Sequence, residues 1–191
     1  LEKIRTNSER LHNLLQDLLL LSRLESTDSL LNAEAVSLSA FLGEMAESWK
    51  PVLAENGQEL ELDCEDGDDT VEADPLRLSQ LLTNLLENIV RHARGFTRIR
   101  LITRLEDDGV RMTVEDDGPG IPEKDLPYIF QRFYRVDKGR SRESGGTGLG
   151  LSIVKHIAVQ HNAEVHARIP KGGGTAIDVL FPYPDNGGNG E

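Results

Sequence analysis

Two asparagines, Asn84 and Asn88, lie four residues apart in the leucine-rich segment NLLENIVRH, which ends in Arg91 and His92. Asparagine is a poor residue for a helix interior, because its amide competes for backbone hydrogen bonds. In a helix this spacing places both amides on one face. Asn88 can then offer an oxygen to Mg²⁺, Arg91 can meet a phosphate, and the His92 ring can pack against a base. A solvated helix face is the alternative interpretation.

A first glycine motif, EDDGPGI at residues 115–121, stands at the predicted end of a strand. It has the form D-x-G-x-G, with Asp116, Gly118 and Gly120. Glycines at a strand exit let a ligand approach the backbone closely. The Asp116 carboxylate can accept a hydrogen bond from a donor such as an exocyclic amine. An acidic turn around Pro119 remains the alternative while the motif is considered alone.

A second glycine motif, GGTGLGLSIVKH at residues 145–156, has alternating glycines and continues into a predicted helix. Exposed backbone amides and the helix dipole make such an N-terminus suited to phosphate. Alone, the pattern also fits a flexible loop before a helix. Two such motifs on either side of one long loop favour a binding site.

The loop between the motifs, about residues 117–147, has the length of a lid or a binding loop. Its basic side chains would suit a phosphate site, and they stand out in a chain of formal net charge −12: Arg132, Arg135, Lys138, Arg140 and Arg142. Phe130 and Phe133 lie three residues apart. We expect both to anchor the loop to the core.

Hydrophobic periodicity predicts the elements that position these residues. Residues 1–25 form an amphipathic helix with a heptad seam, made of Ile4, Leu11, Leu14, Leu18 and Leu21, with Asn7 as its polar exception. Such a stripe needs a partner, either in a missing part of the chain or in a second copy. A linker over residues 27–36, one domain over residues 37–182 and a disordered tail over residues 183–191 follow.

Within the domain, the patterns predict a helix, two strands, a second helix, a hairpin, the loop, a third helix and two closing strands. The helices begin at Ser37, at Asp74-Pro75 and near Gly148, and they end near Asn56-Gly57, Gly95 and His161. The strands are QELELDCE, TVEA, the two halves of a hairpin joined at Asp108-Gly109, AEVHARI and TAIDVLFP. This order predicts an α/β (α+β) two-layer sandwich, with three helices on one face of a mixed, mostly antiparallel sheet.

Composition excludes several classes of function. A net charge of −12 argues against nucleic-acid binding, which needs a basic surface. Cys64 is the single cysteine, so no intrachain disulfide forms and a reducing compartment is indicated. No run of 18 apolar residues predicts a membrane span and no signal peptide is recognised. We expect a cytoplasmic domain without membrane contact, and a piece of a longer protein, because the chain opens inside a helical pattern.

Jointly, the motifs resemble those of bacterial sensor histidine kinases. NLLENIVRHA, EDDGPGI, IFQRFYR, GTGLGL and GGGTAIDVLFP occur in that family's order. They resemble its asparagine box, first glycine box, phenylalanine box, second glycine box and last glycine motif. DLLLLSRLES resembles the end of the second helix of the dimerisation and histidine-phosphotransfer domain, and implies that role for residues 1–26. The resemblance implies the GHKL, or Bergerat, ATP-binding fold for residues 37–182.

The resemblance also implies a role for each site residue. Asn88 is expected to hold Mg²⁺, Asn84 to support it, and Arg91 to contact phosphate. Asp116 is expected to bind the adenine amino group. The other residues expected on the base side are His92, Gly118, Gly120, Ile121 and Thr175, the last acting through water. Those expected around the phosphates are Arg135, Gly146, Thr147, Gly148, Leu149 and Gly150.

The implied activity is ATP-dependent transfer of the γ-phosphoryl group to a histidine. Its implied partners are ATP and ADP, a response-regulator receiver domain, and a second copy joined through the helix over residues 1–25. None of the five histidines lies in the family's phosphoacceptor motif. We therefore expect the acceptor upstream, and a chain that binds ATP without phosphorylating itself in the usual way.

Two alternatives follow from the same resemblance. GHKL ATPases activate water with a glutamate four residues before the metal asparagine, where this chain has Asn84. A nucleotide-dependent scaffold, or degenerate kinase, is the second alternative, and the intact glycine motifs disfavour it.

The chain departs from the family's common residues at a few positions. Ile89, Arg91 and His92 stand where alanine, lysine and an aromatic residue are common, and these differences are compatible with the same site. HNAEV stands where His-Gly-Gly is usual, so we expect an altered turn after the third helix.

Overall fold

The N-terminal helix packs against a domain of helices and strands. The computed structural model describes residues 8, 11–12, 14–19, 21–22, 31–93, 95–136 and 147–183. The described positions between 8 and 22 are helical and form α1. Leu21 is buried and Leu14 is half-buried, and both pack against the core of the domain. The predicted seam is divided, because Leu11 and Leu18 are 62% and 41% exposed; its positions 4 and 7 lie outside the described residues.

Three further helices form one layer of the domain. They are α2 over Leu38–Ala54, α3 over Pro75–His92 and α4 over Gly150–Gln160. The Ser37 hydroxyl caps α2, and the Asp74 carboxylate caps α3 directly before Pro75. Proline suits this first position because it has no N–H to leave unpaired. The predicted helices are confirmed. Among the described residues, no helix combines the length and the hydropathy needed to cross a membrane.

The strands of the described chain form two sheets. They are β1 over Glu34–Ser37, β2 over Glu59–Cys64, β3 over Thr70–Ala73, β4 over Arg98–Glu106, β5 over Gly109–Asp116, β6 over Glu164–Arg168 and β7 over Thr175–Pro182. The larger sheet has the order β2-β4-β5-β7-β6. Only the β2–β4 pair of this sheet is parallel. The predicted mixed, mostly antiparallel sheet is therefore confirmed.

Strand β1 begins at Glu34, inside the segment predicted as linker. It pairs antiparallel with β3, with Val36 opposite Val71, in a separate two-stranded sheet. EAVS follows the polar stretch predicted as a linker and has a single β-branched residue, Val36, so it gave no clear signal of a strand. The N–H of Asn32 donates to Asp74 Oδ2 at 3.1 Å. The end of the predicted linker is thus fastened to the start of α3, while the division of the chain into domains stays a prediction.

The two faces of the larger sheet differ in chemistry. Residues such as Leu101 and Val114 are almost fully buried against the three helices. On the opposite face, Arg100 pairs with Asp63 at 2.6 Å and with Glu115 at 3.2 Å. Successive residues of a strand face opposite sides, so most apolar side chains lie on one face and most charged side chains on the other. The helices cover the apolar face, as predicted.

The turn after α4 is closed by Asn162 without a glycine. Its φ of +53° lies in the left-handed region, which asparagine tolerates better than most residues. Its N–H donates to Val159 O at 3.1 Å, and the N–H of Ala163 donates to Ala158 O at 2.8 Å. These bonds form a Schellman motif, the common glycine-closed helix end. Asparagine therefore supplies here the conformation for which glycine is usual.

Candidate functional site

Helix α3 brings its asparagine face against the start of α4. Its leucine stripe is buried, whereas Asn84 and Asn88 are half-buried beside it. The Asn84 amide donates from Nδ2 to the backbone oxygen of Gln80 at 2.8 Å. A Cβ built on Gly150 would lie 3.4 Å from Asn84 Oδ1. The structure therefore brings Asn84, the first of the predicted asparagine pair, next to the last glycine of the second glycine motif.

The last turn of α3 carries Arg91 and His92. Arg91 Nη2 donates to Glu87 Oε2 at 2.8 Å, and both side chains are more than two-fifths exposed. Such an exposed pair is worth about 0.3–0.5 kcal/mol, so the guanidinium can exchange this carboxylate for a phosphate. Although His92 keeps an exposed surface, loss of water around its ring lowers its pKa, and the charges of Arg91 and Arg135 lower it further. His92 is neutral at pH 7, with both arginines close to it.

Asp116 ends β5 as a buried carboxylate, 5% exposed. The N–H of Gly118 donates to its Oδ1 at 2.8 Å, and β7 places Thr175 opposite it. Burial raises the pKa of Asp116, and the nearby Asp117 charge adds to this, while backbone N–H groups of Gly118 and Thr175 oppose the rise. A carboxylate has about four acceptor positions, so Asp116 can still accept from a ligand amine.

Three glycines let the backbone close tightly around Asp116. A Cβ on Gly174 would stand 1.8 Å from the Asp116 backbone oxygen, and one on Gly120 would stand 2.6 Å from Gly174 O. A Cβ on Gly118 would meet Ala93, directly after α3, at 2.9 Å. The end of β5, the start of β7 and the end of α3 therefore form one wall. These residues, with the half-buried Ile121 and with Thr175, are called the base-side group.

Gly174 and Asp117 belong to this wall, and sequence reasoning did not single them out. The Asp117 carboxylate accepts from Thr97 N at 2.8 Å, from Thr97 Oγ1 at 2.6 Å and from Arg98 N at 2.9 Å. Burial opposes ionisation of Asp117, but these hydrogen bonds outweigh it and lower its pKa. The bonds fasten the start of β4 to the end of β5. The run GGG before Thr175 was the available signal for Gly174.

The second glycine motif rests on the loop that precedes it. Gly148 has a φ of +72°, and a Cβ there would lie 3.0 Å from Phe133 Cα and from Tyr134 O. The N–H of Phe133 donates to Gly148 O at 2.8 Å. Leu149 is fully buried, and no side chain caps the N-terminus of α4. Backbone N–H groups at such a start are available to an anion.

Phe133 corrects one expectation about the loop. Its side chain is 59% exposed, and its φ is +63°. Phe130 and Tyr134 pack against the core instead, and the Tyr134 hydroxyl donates to Asp125 Oδ1 at 2.7 Å. The expectation that both phenylalanines anchor the loop is therefore right for Phe130 and wrong for Phe133. The left-handed backbone next to Gly148 turns this side chain outward.

Thr147 connects the second glycine motif to α1. Its hydroxyl donates to Asp17 Oδ2 at 2.7 Å and accepts from the N–H of Leu149 at 3.2 Å. Together with Leu14 and Leu21, this bond joins α1 to the domain. Residues 147–150, with Asn84 and Asn88, are called the phosphate-side group. The predicted site residue Gly146, and the loop cations at 138, 140 and 142, lie outside the described residues.

Comparison with known proteins identifies the class to which this fold and site belong. Residues 73–185 match the family described as histidine kinase-, DNA gyrase B- and HSP90-like ATPase. The match runs from the end of β3 through both glycine motifs to β7. The chain belongs to this family of ATPases.

Within that family, its relatives are sensor histidine kinases. The chain is 34% identical to the sensor histidine kinase WalK of Bacillus subtilis over 180 residues, which cover 93% of this chain and 29% of WalK. The crystal structure of full-length ShkA in complex with AMPPNP has a TM-score of 0.79 and 28% identity, over 95% of this chain and 38% of that one. The histidine kinase ThkA in complex with the response regulator protein TrrA has a TM-score of 0.75 at 22% identity, over 95% of this chain and 49% of that one.

The family match and these relatives confirm the predicted GHKL fold and the resemblance to sensor histidine kinases. The domain corresponds to the ATP-binding catalytic part of these kinases. The chain spans less than half the length of each relative named above. The roles of the individual site residues stay predictions.

Proposed function

We propose that this chain binds Mg-ATP between its base-side and phosphate-side groups and transfers the γ-phosphoryl group to a histidine of a dimerisation domain. The observation that carries the proposal is the buried Asp116 carboxylate inside a wall of three close-packed glycines. A buried acceptor at the end of a strand suits the amino group of adenine. The wall also touches the end of α3 through Ala93, so one helix links the base site to Asn84 and Asn88.

The phosphate-side group supplies donors and positive charge. The uncapped N-terminus of α4 offers backbone N–H groups to the β- and γ-phosphates. Arg91 and Arg135 lie near His92 and can approach the same anion from the other side. Phosphoryl transfer needs little covalent chemistry from the protein, so positioning and neutralisation of charge suffice.

Mg²⁺ fits the donors at this site. Asn88 offers a neutral amide oxygen, which is a hard ligand. Over the described ranges, no group of three or more His, Cys, Asp or Glu side chains is arranged to hold a metal. This agrees with an ion that takes most of its ligands from phosphate and water. Bound there, the ion would neutralise charge on the phosphates, while Asn84, bonded to Gln80, would keep the neighbouring turn of α3 fixed.

Transfer to histidine is favoured over hydrolysis by the residues next to Asn88. Asn84 stands where a water-activating glutamate would stand, and an amide cannot take a proton from water. Glu87 is adjacent to Asn88 and therefore leaves α3 on a different side, where its carboxylate bonds Arg91 at 2.8 Å. Neither residue is therefore placed to act as a general base for an attacking water.

The partners proposed for the whole protein are a second copy and a receiver domain. Leucines of α1 are 41–62% exposed, and a second α1 would cover them: Leu11, Leu15, Leu18 and Leu19. ThkA in complex with the response regulator TrrA supports a receiver domain as the acceptor of the phosphoryl group. The cytoplasm, where ATP is available, is the proposed compartment.

The central test compares wild type with Asn88→Ala. We expect the wild type to bind Mg-ATP in calorimetry, and the variant to lose about tenfold or more in affinity when Mg²⁺ is present. Without Mg²⁺ the two proteins should differ little, because Asn88 acts on the ion. Asn56→Ala, at an exposed turn, is the matched control.

The phosphotransfer itself is tested with an acceptor domain supplied in trans. Incubation with radiolabelled ATP should give an acid-labile, base-stable phosphohistidine on the acceptor. Rapid release of inorganic phosphate without labelling would overturn the kinase proposal in favour of an ATPase. Loss of labelling with Asn88→Ala would tie the transfer to this site.

A further inference from the structure

His161, directly after α4, is a buried histidine whose two ring nitrogens are both bonded. It is 6% exposed. Nδ1 lies 2.8 Å from the backbone oxygen of Ile157, and the N–H of Asp74 donates to Nε2 at 3.0 Å. A carbonyl can only accept and a backbone N–H can only donate. The bonds therefore assign the neutral tautomer with hydrogen on Nδ1.

The residue bonded by His161 is the N-cap of α3. Asp74 Oδ1 accepts from the N–H groups of Leu76 and Arg77 at 3.0 Å and 3.1 Å, while Oδ2 accepts from Asn32 N. The ring of His161 thus joins the last turn of α4 to the first turn of the helix that carries the asparagines. Phe181 of β7 meets the ring edge-on, with centroids 6.1 Å apart, and holds its plane.

The two helices meet a second time at Asn84, in the middle of α3, and at Gly150, the first residue of α4, where the Cβ position is 3.4 Å from Asn84 Oδ1. Ten residues separate Asp74 from Asn84, and eleven separate Gly150 from His161. At 1.5 Å per residue these spans are about 15 Å and about 16.5 Å. The helices are antiparallel, and the two contacts are spaced by nearly the same distance along each of them.

Between these two contacts the helices carry buried aliphatic side chains of the core, such as Leu81, Leu82, Ile153 and Ile157. Close-packed apolar side chains resist sliding of one helix along the other, but their attraction is not directional. A hydrogen bond is directional and weakens steeply with poor alignment. The bond from Asp74 N–H to His161 Nε2 therefore adds a directional constraint on the axial position to the constraint from the packing.

We propose that His161 is a positioning residue for the nucleotide site. By bonding Asp74, it sets the axial register of α4 against α3, and so the placement of residues 147–150 relative to Asn84 and Asn88. The inference rests on the proposed function, because it concerns the site where the phosphates would bind. The base-side group is held by β5, β7 and the end of α3 and includes no residue of α4, so a shift of α4 against α3 leaves it in place.

Two substitutions separate positioning from simple packing. In His161→Gln the side-chain amide reaches about as far as Nε2, and its oxygen can accept from Asp74 N–H. In His161→Asn the amide reaches only about as far as Nδ1, so it can donate to Ile157 O but not bond Asp74. Both variants lose the ring that packs on Phe181, so both should lower the melting temperature by similar amounts.

The readout is the ratio of the dissociation constants of adenosine and Mg-ATP, measured by calorimetry at a temperature where each protein is folded. In His161→Asn we expect this ratio to fall by about three- to tenfold, the range of one ordinary hydrogen bond. In His161→Gln the ratio should stay close to the wild-type value, because the new side chain can still accept from Asp74 N–H. An unchanged ratio in His161→Asn, or equal losses in both variants, would overturn the proposal. A wild type that binds neither ligand would instead refute the proposed function.

A second measurement uses the unaltered chain, in case His161→Asn fails to fold. Two-bond ¹H–¹⁵N spectra of the histidine rings should show His161 with hydrogen on Nδ1. Saturating Mg-ATP should shift the His161 Nε2 and Asp74 amide signals, because phosphates would tighten the contact between the start of α4 and the middle of α3. Adenosine alone should leave both signals in place. Signals that do not respond to Mg-ATP, or respond equally to adenosine, would contradict the positioning role.

Discussion

The base-side and phosphate-side groups both depend on glycines, but they are built differently. Around Asp116, the glycines bring backbone against backbone, with Gly174 and Gly120 allowing contacts that any Cβ would block. Around residues 147–150, the closest contacts are with a loop, through Phe133, and with α1, through the hydroxyl of Thr147. The base side is therefore fixed by the sheet itself. The phosphate side takes its shape from elements that lie outside the sheet.

This difference separates the recognition of adenine from the placement of phosphate. A sheet-borne wall keeps its geometry as long as the domain is folded, because its strands are paired along their length. Apart from the buried Leu149, this segment is held by a loop backbone and by one side chain of another helix, so its other residues can change position while the sheet stays intact. The comparison predicts that changes at the base side act on folding and on all adenine ligands. Changes at the phosphate side should act on Mg-ATP alone.

The largest effect is expected for Gly174→Ala. The new Cβ would stand 1.8 Å from Asp116 O, at a residue whose φ is +85°. Left-handed backbone alone costs an alanine about 1–2 kcal/mol, and the contact with backbone can be relieved only by moving β5 from β7. We expect the free energy of unfolding in urea to fall by more than about 2 kcal/mol.

The neighbouring glycines are controls for Gly174→Ala. Gly173 has a φ of +88° but open space around its Cβ position, and Gly172 is open without a left-handed φ. Gly173→Ala should therefore show only the conformational cost, and Gly172→Ala almost none. If Gly173→Ala and Gly174→Ala lowered the free energy of unfolding equally, the close contact at Gly174 would not be what fixes the base side.

Asp116→Asn should lose adenine binding while gaining stability at neutral pH. Because burial raises the pKa of Asp116, the folded state holds this proton more tightly than the unfolded state does. The wild-type free energy of unfolding therefore falls as pH rises from the ordinary carboxyl pKa through the raised one. An asparagine side chain does not ionise, so the variant avoids this loss of stability. Its oxygen can still accept from Gly118 N–H.

The measurements for Asp116→Asn are ligand affinity and thermal unfolding between pH 3 and pH 8. Affinity for adenosine and for Mg-ATP should fall together, by about 10- to 100-fold, as expected for a buried hydrogen bond to a charged group. The stability advantage of the variant should be greatest above the raised pKa and should shrink in acid. A loss confined to Mg-ATP would contradict the assignment of Asp116 to the base side.

Gly148→Ala is expected to weaken Mg-ATP about tenfold, because a left-handed alanine costs about 1–2 kcal/mol and residues 147–150 must shift away from Phe133. Adenosine affinity, measured in the same titration series, should stay within experimental error. Gly43→Ala, which lies within α2 and meets nothing within 4 Å, serves as the control. Equal weakening of adenosine would show that the two groups are not independent.

The smallest effect is expected for Asp17→Asn, and it is a gain. The Asp17 carboxylate lies 2.7 Å from the Thr147 hydroxyl, beside the proposed phosphate position. Asparagine keeps an oxygen that accepts from Thr147 but removes a charge that would repel the nucleotide. Affinity for Mg-ATP should rise by about two- to fourfold at low salt, and the gain should shrink as salt screens the charge.

Glu72→Gln, an exposed acid on β3, is the matched control for Asp17→Asn because it removes the same charge far from Thr147. It should leave Mg-ATP affinity unchanged. A fall in affinity with Asp17→Asn would mean that α1 supports the phosphate side instead of restraining it.

The parts of the structure that the sequence predicted depend on local signals. Asp74-Pro75 marks a capped helix start, and the leucines after it repeat with a helical period. Asp108-Gly109 marks a hairpin whose strands alternate. Asp116, Asn84 and Asn88 were identifiable because these elements fix where they lie. Each such signal is contained within about one turn or one strand, so its meaning does not depend on the rest of the chain.

The parts that were missed depend on contacts between distant residues. Gly174 matters because β7 pairs with β5 at Asp116, 58 positions earlier in the chain. Phe133 is exposed because Gly148 fixes its backbone, although its apolar character predicts burial. The bond from Asp17 to Thr147 spans 130 positions. Composition and periodicity carry no information on such pairings.

The strand order has a consequence for biosynthesis. Strand β7 is the last strand of the sheet to leave the ribosome, yet it lies between β5 and β6. Until it emerges, β5 has an unpaired edge and Asp116 has no Thr175 opposite it. Domains fold as units once their sequence is available, so the adenine site and the sheet should be completed together, late in translation. A nascent chain stopped before β7 should bind no nucleotide, however much of α3 it contains.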